Sequence, residues 1–115
     1  MLTICIENVD GLAIVECNGR IVQSEAAFAL REAVISQEDS RVILLDLSGV
    51  TAIEGGGLGM LEFLQRWAYD HDRRLKLYNP TRCVSERLDL ANPIPEFEVI
   101  SPDEMRALLA STHSH

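Results

Sequence analysis

The centre of this 115-residue chain reads VILLDLSGVTAIEGGGLG from Val42 to Gly59. Residues 42–47 form a nearly unbroken apolar run of strand length, which is typical of a strand covered on both faces of a sheet. The glycine-rich segment 55–59 then opens a predicted helix. Its apolar residues recur at helical spacing and are Met60, Leu61, Leu64 and Ala68. A buried strand followed directly by a helix predicts an α/β fold whose sheet is parallel at this point.

The segment before this centre has the pattern of a β-hairpin. Residues 2–8 and 12–17 alternate apolar and polar side chains, and Asp10-Gly11 between them is a turn pair that tolerates positive φ. A two-residue turn places Ile6 opposite Val15. One face of the hairpin is then apolar and carries Leu2, Ile4, Ile6, Ala13, Val15 and Cys17. Cys5 points to the other face and should not bridge to Cys17.

Further elements follow from caps and periodicity. Ser24 is a predicted N-cap for a helix through about Ile35, and residues 75–78 read as a strand. Asn79-Pro80 is interpreted as an N-cap followed by proline in the first helical turn. Residues 92–95 break the chain before a short strand at 97–100. The run Ser101-Pro102-Asp103-Glu104 is a capping box that starts the last helix, and residues 111–115 are expected to be a disordered tail.

These elements predict one α/β domain over residues 1–115. The chain starts with a β-hairpin, and the second strand of this hairpin is the first element of a β-α-β-α-β-α-β-α series. This order indicates a mixed, mostly parallel sheet. Right-handed crossovers that progress in one direction would place the helices mainly on one face, while a doubly wound order stays open.

Charge and composition exclude several classes of function. The formal net charge is -8, which would repel nucleic acid and anionic lipid headgroups. The N-terminus lacks the basic and apolar regions of a signal peptide, and no apolar run is long enough to span a membrane. We therefore expect a cytoplasmic protein that neither binds nucleic acid nor inserts into a membrane. Its scattered cysteines, Cys5, Cys17 and Cys83, are expected to be small buried hydrophobic residues.

Three short motifs, taken in order, resemble those of STAS domains, the family that includes bacterial anti-sigma-factor antagonists. Asp46-Leu47-Ser48 resembles the turn that ends a family strand, and Asn79-Pro80 resembles the turn after the next strand. Gly57-Leu58-Gly59 resembles the end of a D-S-S-G-L-G-like segment at a helix start. The resemblance covers nearly the whole chain. It implies a STAS fold and a non-enzymatic role in binding a partner protein, without a cofactor or metal.

The resemblance also implies which segment binds the partner. We call this segment the glycine loop, and it consists of Glu54, Gly55, Gly56, Gly57, Leu58 and Gly59. Family antagonists bind an anti-sigma factor that is also a serine kinase, and phosphorylation of the second serine in this segment releases the antagonist. A phosphate adds nearly two negative charges at a helix N-terminus, so it alters the contact surface without refolding the domain.

The chain departs from the family pattern at the switch itself. Alignment on Gly57-Leu58-Gly59 places Glu54 at the family's aspartate, Gly55 at its first serine and Gly56 at its phosphoacceptor. We therefore hypothesise that the domain kept the binding fold but lost phosphorylation at the usual position. Ser48 and Thr51 are the nearest hydroxyls. Structural roles are favoured for both, as a turn serine and as a β-branched residue that closes a strand.

The same residues allow three other interpretations. The glycines permit weak nucleotide binding at a helix start, but no Gly-Lys-Ser/Thr follows them and Glu54 would repel a phosphate. An enzyme needs a converging nucleophile, base or metal cluster, and the sequence offers none. A cytoplasmic accessory subunit of a membrane transport system is the alternative binding role, because similar STAS domains occur beside transporters.

Two aromatic residues lie one turn apart on the helix after the glycine loop. Phe63 and Trp67 sit at the edge of its apolar stripe. They are expected to widen the core contact, and the alternative is that they are interface anchors beside the glycine loop.

Overall fold

The computed structural model describes residues 2–22, 24–91, 93 and 96–113, with the side chains of residues 24 and 111–113 outside the description. Within these residues, strands and helices alternate after an initial hairpin. In chain order they are β1 (Leu2–Val9), β2 (Leu12–Ile21), α1 (Ser24–Ile35), β3 (Val42–Ile53), α2 (Gly56–Asp70), β4 (Arg74–Tyr78), α3 (Arg82–Leu90), β5 (Glu98–Ile100) and α4 (Pro102–His113).

The strands form one sheet in the order β1-β2-β3-β4-β5. β1 pairs with β2 antiparallel, and the other neighbours are parallel. The sequential order confirms the predicted mixed, mostly parallel sheet and excludes the doubly wound alternative. The hairpin register is also confirmed, since Ile6 pairs with Val15 and Ile4 with Cys17. Asp10 and Gly11 both have positive φ, at 46° and 84°, as the two-residue turn requires.

The main core lies between one face of the sheet and three helices. Ile43, Leu45 and Leu47 of β3 are fully buried there together with Leu30 of α1 and Leu61 of α2. Val84 and Leu88 of α3 belong to the same cluster. Successive side chains of a strand point to opposite faces, so Leu44 lies on the other side of the sheet. There α4 covers a smaller cluster through Met105, Leu108 and Leu109. The helices therefore pack mainly, but not all, on one face.

β3 extends further than the apolar run predicted. It continues through Ile53, and its pairing with β2 shifts register twice, between Glu16 and Asn18 and again between Gly19 and Arg20. Each shift inserts one extra residue into β3 as a bulge. The buried positions after Leu47 are therefore Val50 and Ile53, three residues apart, and the two-residue alternation that marks a strand in sequence is lost.

The expectation that the cysteines are buried was wrong for two of the three. Cys17 is fully buried in the main core, whereas Cys5 and Cys83 are exposed, and all three are free thiols. Cys5 lies on the face of the edge strand β1 that the main core does not cover. Cys83 is the second residue of α3 and faces solvent, because Val84 and Leu88 are the buried positions of that helix.

The last helix begins as predicted. Ser101 and Glu104 form the capping box, with each side chain accepting a hydrogen bond from the other residue's backbone N–H at 3.2 Å. α4 continues through His113, and residues 114 and 115 lie outside the described part of the chain, as does most of the predicted 92–95 break. None of the described helices combines the length and hydropathy needed to cross a lipid bilayer.

Candidate functional site

The glycine loop connects the end of β3 to the start of α2. The backbone N–H of Glu54 donates to the Ile21 carbonyl of β2 at 3.2 Å, and the N–H of Gly57 donates to the Glu54 carbonyl at 3.0 Å. Gly55 between them has φ 55° and ψ -124°, a combination that is forbidden to residues with a Cβ. The loop therefore turns sharply from the sheet into the helix.

Gly57 fixes how closely α2 approaches the sheet. It is buried, and a Cβ added to it would lie 2.3 Å from the Ile21 carbonyl oxygen and 2.8 Å from Ile21 Cγ2. No real side chain fits at these distances. The start of α2 is thus packed directly on the end of β2, and a glycine is required at this position.

Gly56 and Gly59 have the opposite environment. Both are exposed, and a Cβ at either position would meet nothing within 4 Å. Gly55 is the N-cap of α2 and has no side chain that could accept a hydrogen bond from the free N–H groups at the start of this helix. The position that resembles the family's phosphoacceptor is therefore open to solvent and has room for a side chain, but carries no hydroxyl.

Glu54 ties the glycine loop to α3. Its Oε1 accepts a hydrogen bond from Nη2 of Arg87 at 3.1 Å, and both side chains are about half exposed. An exposed pair of this kind adds little to folding stability, typically less than about 1 kcal/mol. It holds a carboxylate beside the start of α2, which disfavours binding of a nucleotide phosphate there. Arg87 was missed in the sequence, because 33 residues separate it from Glu54 and no local pattern joins them.

Phe63 and Trp67 have different surroundings although they lie one turn apart. Phe63 is 45% exposed, and the guanidinium of Arg31 from α1 lies over its ring at 5.6 Å from the centroid. Trp67 is half-buried against the main core, and its ring lies 5.1 Å from that of His71. Phe63 is therefore exposed on the helix that the glycine loop opens, whereas Trp67 packs within the domain.

The two alternative hydroxyls are held in β3. Ser48 donates from both its N–H and its Oγ to Oδ1 of Asp46, at 2.9 and 2.7 Å. Thr51 donates from Oγ1 to the Gly19 carbonyl at 3.3 Å. Both residues are exposed but lie within the strand, before the glycine loop. Asp46 thus accepts two hydrogen bonds from Ser48 within β3, and these residues do not form the strand-ending turn that the sequence predicted.

The interpretation of Asn79-Pro80 as a helix start was wrong. Thr81 is the N-cap of α3, and its Oγ1 accepts from the Val84 N–H at 3.5 Å. Asn79 instead has a positive φ of 46°, and its N–H donates to the Ile100 carbonyl at 3.2 Å. The helix begins two residues later because Thr81 also donates to the Val50 carbonyl of β3, at 2.8 Å. This second bond joins distant segments and leaves no signal in the local sequence.

The candidate metal ligands do not cluster within the described part of the chain. Within residues 2–22, 24–91, 93 and 96–113, no three His, Cys, Asp or Glu side chains are placed to hold a metal ion. His71 lies in the turn after α2 and its Nδ1 is 2.7 Å from the Trp67 carbonyl oxygen.

Comparison with known proteins identifies the class. The STAS domain family model matches residues 3–106, and the chain belongs to this family. No curated protein matches it at the sequence level.

Several solved structures share its fold. The anti-sigma factor antagonist SpoIIAA in its unphosphorylated form is similar at a TM-score of 0.72 and 15% identity, covering 97% of this chain and 100% of that one. An anti-sigma factor antagonist from Mycobacterium paratuberculosis gives 0.73 and 21%, covering 96% and 93%. A single-residue variant of RsbS from Moorella thermoacetica gives 0.70 and 11%, covering 93% and 97%. At these identities the likeness establishes the fold.

Proposed function

We propose that this chain is a cytoplasmic regulatory module of the anti-sigma-factor antagonist type, which binds a partner protein through the glycine loop and lacks the usual phosphorylation switch. The observation that supports the proposal is that residue 56 is a glycine and carries no hydroxyl. Gly56 occupies the position that resembles the phosphoacceptor, exposed at the start of α2, and residues 52–59 contain no hydroxyl. A surface without the modified side chain stays in its binding state.

Features of the same surface support a protein as the partner. Bare backbone at Gly56 and Gly59 allows another protein to approach closely, and Phe63 lies one turn further along the helix as an apolar contact. Large aromatic side chains often supply the main binding energy of an interface. An anti-sigma factor of the serine kinase type is the partner that the antagonist fold supports best.

A charge introduced at Gly56 tests where the partner binds. The partner is first captured from a native lysate on the immobilised chain and identified, and its Kd is then measured by calorimetry. We expect Gly56→Glu to weaken binding roughly tenfold or more, because it places a negative charge where the partner docks. Gly56→Ala controls for the added Cβ, and Ala107→Glu on α4 controls for the added charge; both should bind as the native chain does. Unchanged binding by Gly56→Glu would place the interface elsewhere.

Gly56→Ser tests the loss of the switch. The open space around Gly56 accommodates a serine, so incubation with the captured kinase and ATP should phosphorylate the variant at residue 56 and leave the native chain unmodified. Stoichiometric phosphate on residues 51–59 of the native chain would contradict the proposal. Capture of a transporter ATPase in place of a kinase-like anti-sigma factor would instead support a transport subunit.

A further inference from the structure

The outer edge of the sheet at β1 lacks the features that normally prevent strands from pairing. β1 is the end strand of the sheet, is 8 residues long and keeps an unbroken register with β2. It contains neither proline nor lysine, and Glu7 is its one charged residue. Edge strands are usually protected by bulges, prolines or inward charges, because their free backbone groups otherwise bind another strand.

The hydrogen-bond pattern between β1 and β2 determines which backbone groups of β1 are left without a partner strand. In a two-residue hairpin, the residues flanking the turn, Val9 and Leu12, form a hydrogen-bonded pair, and such pairs alternate along an antiparallel ladder. The N–H and C=O groups of Leu2, Ile4, Ile6 and Asn8 therefore point away from β2. No other described strand lies on that side.

From this pattern we propose that the occupant of the edge is a second copy of this chain, paired antiparallel through β1 about a two-fold axis at Cys5. In this register Ile4 of each copy lies opposite Ile6 of the other, and about eight new main-chain hydrogen bonds form. Registers shifted by two residues either pair Ile4 with Asn8 or shorten the overlap. Ile6 is 42% exposed, and the new strand covers it. Glu7 faces the partner's Thr3, so like charges do not meet.

The flank of α1 above β1 also fits a second copy. Arg31 marks the side of α1 that faces α2, because it lies over Phe63. By helical spacing, Ala26, Ala29 and Ala33 lie on the opposite flank, towards the β1 edge. A two-fold axis perpendicular to the sheet places both α1 helices on the same face. Small side chains on the facing flanks allow such helices to pack at the usual separation of about 8–10 Å.

This inference does not depend on the proposed function. The glycine loop follows β3, two strands away from β1, so both loops stay accessible in the dimer. Because each copy carries a net charge of -8, screening by salt should strengthen the association.

Sedimentation equilibrium with the full chain at tens of micromolar tests the dimer. We expect a dimer for the native chain, and a monomer with an unchanged circular dichroism spectrum for Ile6→Lys. Val99→Lys is the matched control, because Val99 is also an exposed apolar residue on an edge strand, β5 at the other side of the sheet, and should remain dimeric. A monomeric native chain, or a dimer lost on Val99→Lys and kept on Ile6→Lys, would overturn the proposal.

Two measurements remain decisive if Ile6→Lys does not fold. Mild oxidation of the Cys83→Ser variant should cross-link two copies through Cys5, since Cys5 faces its own counterpart across the axis. Hydrogen exchange of the native chain should show the amides of Ile4 and Ile6 protected more strongly at higher protein concentration. Failure to cross-link together with concentration-independent exchange would reject pairing through β1.

Discussion

Gly57 is the residue on which the geometry of the glycine loop depends. Its Cα hydrogen faces the Ile21 carbonyl oxygen, and a methyl group there would lie 2.3 Å from that oxygen. Gly57→Ala should therefore lower the free energy of unfolding by about 1–3 kcal/mol, as overpacking typically does. Urea denaturation measures the change. Gly56→Ala is the control, because its Cβ is free of contacts, and it should be neutral or raise stability by up to about 1 kcal/mol. Equal effects of the two substitutions would contradict the close packing.

Cys17 should be the one unreactive thiol of the three. Burial raises its pKa to about 12, and the carboxylates of Asp46 and then Glu16 act in the same direction. A thiol reagent at mildly alkaline pH should modify Cys5 and Cys83 quickly, and Cys17 only on unfolding. Three equally fast reactions would show that Cys17 is accessible.

The same shift gives a pH dependence. An unfolded cysteine loses its proton at about pH 8.5, whereas the folded state keeps the Cys17 proton. The contribution of this residue to stability therefore falls as pH rises from there towards its folded pKa. The native chain should have a higher free energy of unfolding than the Cys17→Ala variant, and this difference should become smaller as pH rises above about 8.5. A difference that grows with pH would reverse the assignment.

Among the helices, α3 depends most clearly on a single cap. Thr81 accepts from the Val84 N–H and donates to the Val50 carbonyl, so it begins the helix and fastens it to β3. Thr81→Ala should lower the free energy of unfolding by about 1–2 kcal/mol, the usual cost of losing an N-cap. Thr81→Ser keeps both bonds and should recover most of the loss in a thermal melt. A serine variant as unstable as alanine would assign the effect to the lost methyl group.

The elements that were predicted correctly are those whose signal is local. The hairpin followed from alternation and Asp10-Gly11, and α4 from its capping box. The end of β3 and the start of α3 were missed for one physical reason. Bulges against β2 and the bond from Thr81 to Val50 are contacts between distant segments, and they override local pattern.

For the molecule as a whole, the position of the glycine loop was predictable and its environment was not. Gly55–Gly59 had to lie at the end of a central strand, because a buried apolar run precedes it. The environment depends on how β2, α2 and α3 pack together. This packing buries Gly57 against Ile21, leaves Gly56 exposed and brings Arg87 to Glu54.

The two aromatic residues of α2 should separate binding from folding. Phe63→Ala should weaken partner binding and change the free energy of unfolding by less than about 1 kcal/mol, because Phe63 is 45% exposed. Trp67→Ala should lower stability by about 2 kcal/mol or more, since its ring packs against the main core. Calorimetric binding and urea denaturation of both variants make the comparison. Loss of stability by Phe63→Ala with full binding would remove it from the interface.

Because of its two bulges, β3 contains two more residues than the segment of β2 with which it pairs. If Thr51 is deleted, β3 and β2 form a regular ladder here that pairs Val50 with Gly19, Ala52 with Arg20 and Ile53 with Ile21. The side chain of Ile53 stays on the helix side of the sheet. A shortened chain lacking Thr51 should therefore fold, whereas removal of Leu45 reverses the faces of everything beyond it and should leave an unfolded protein by circular dichroism. Relatives that differ in length by a single amino acid can thus share one arrangement of sheet and loop, provided the gain or loss falls at this point.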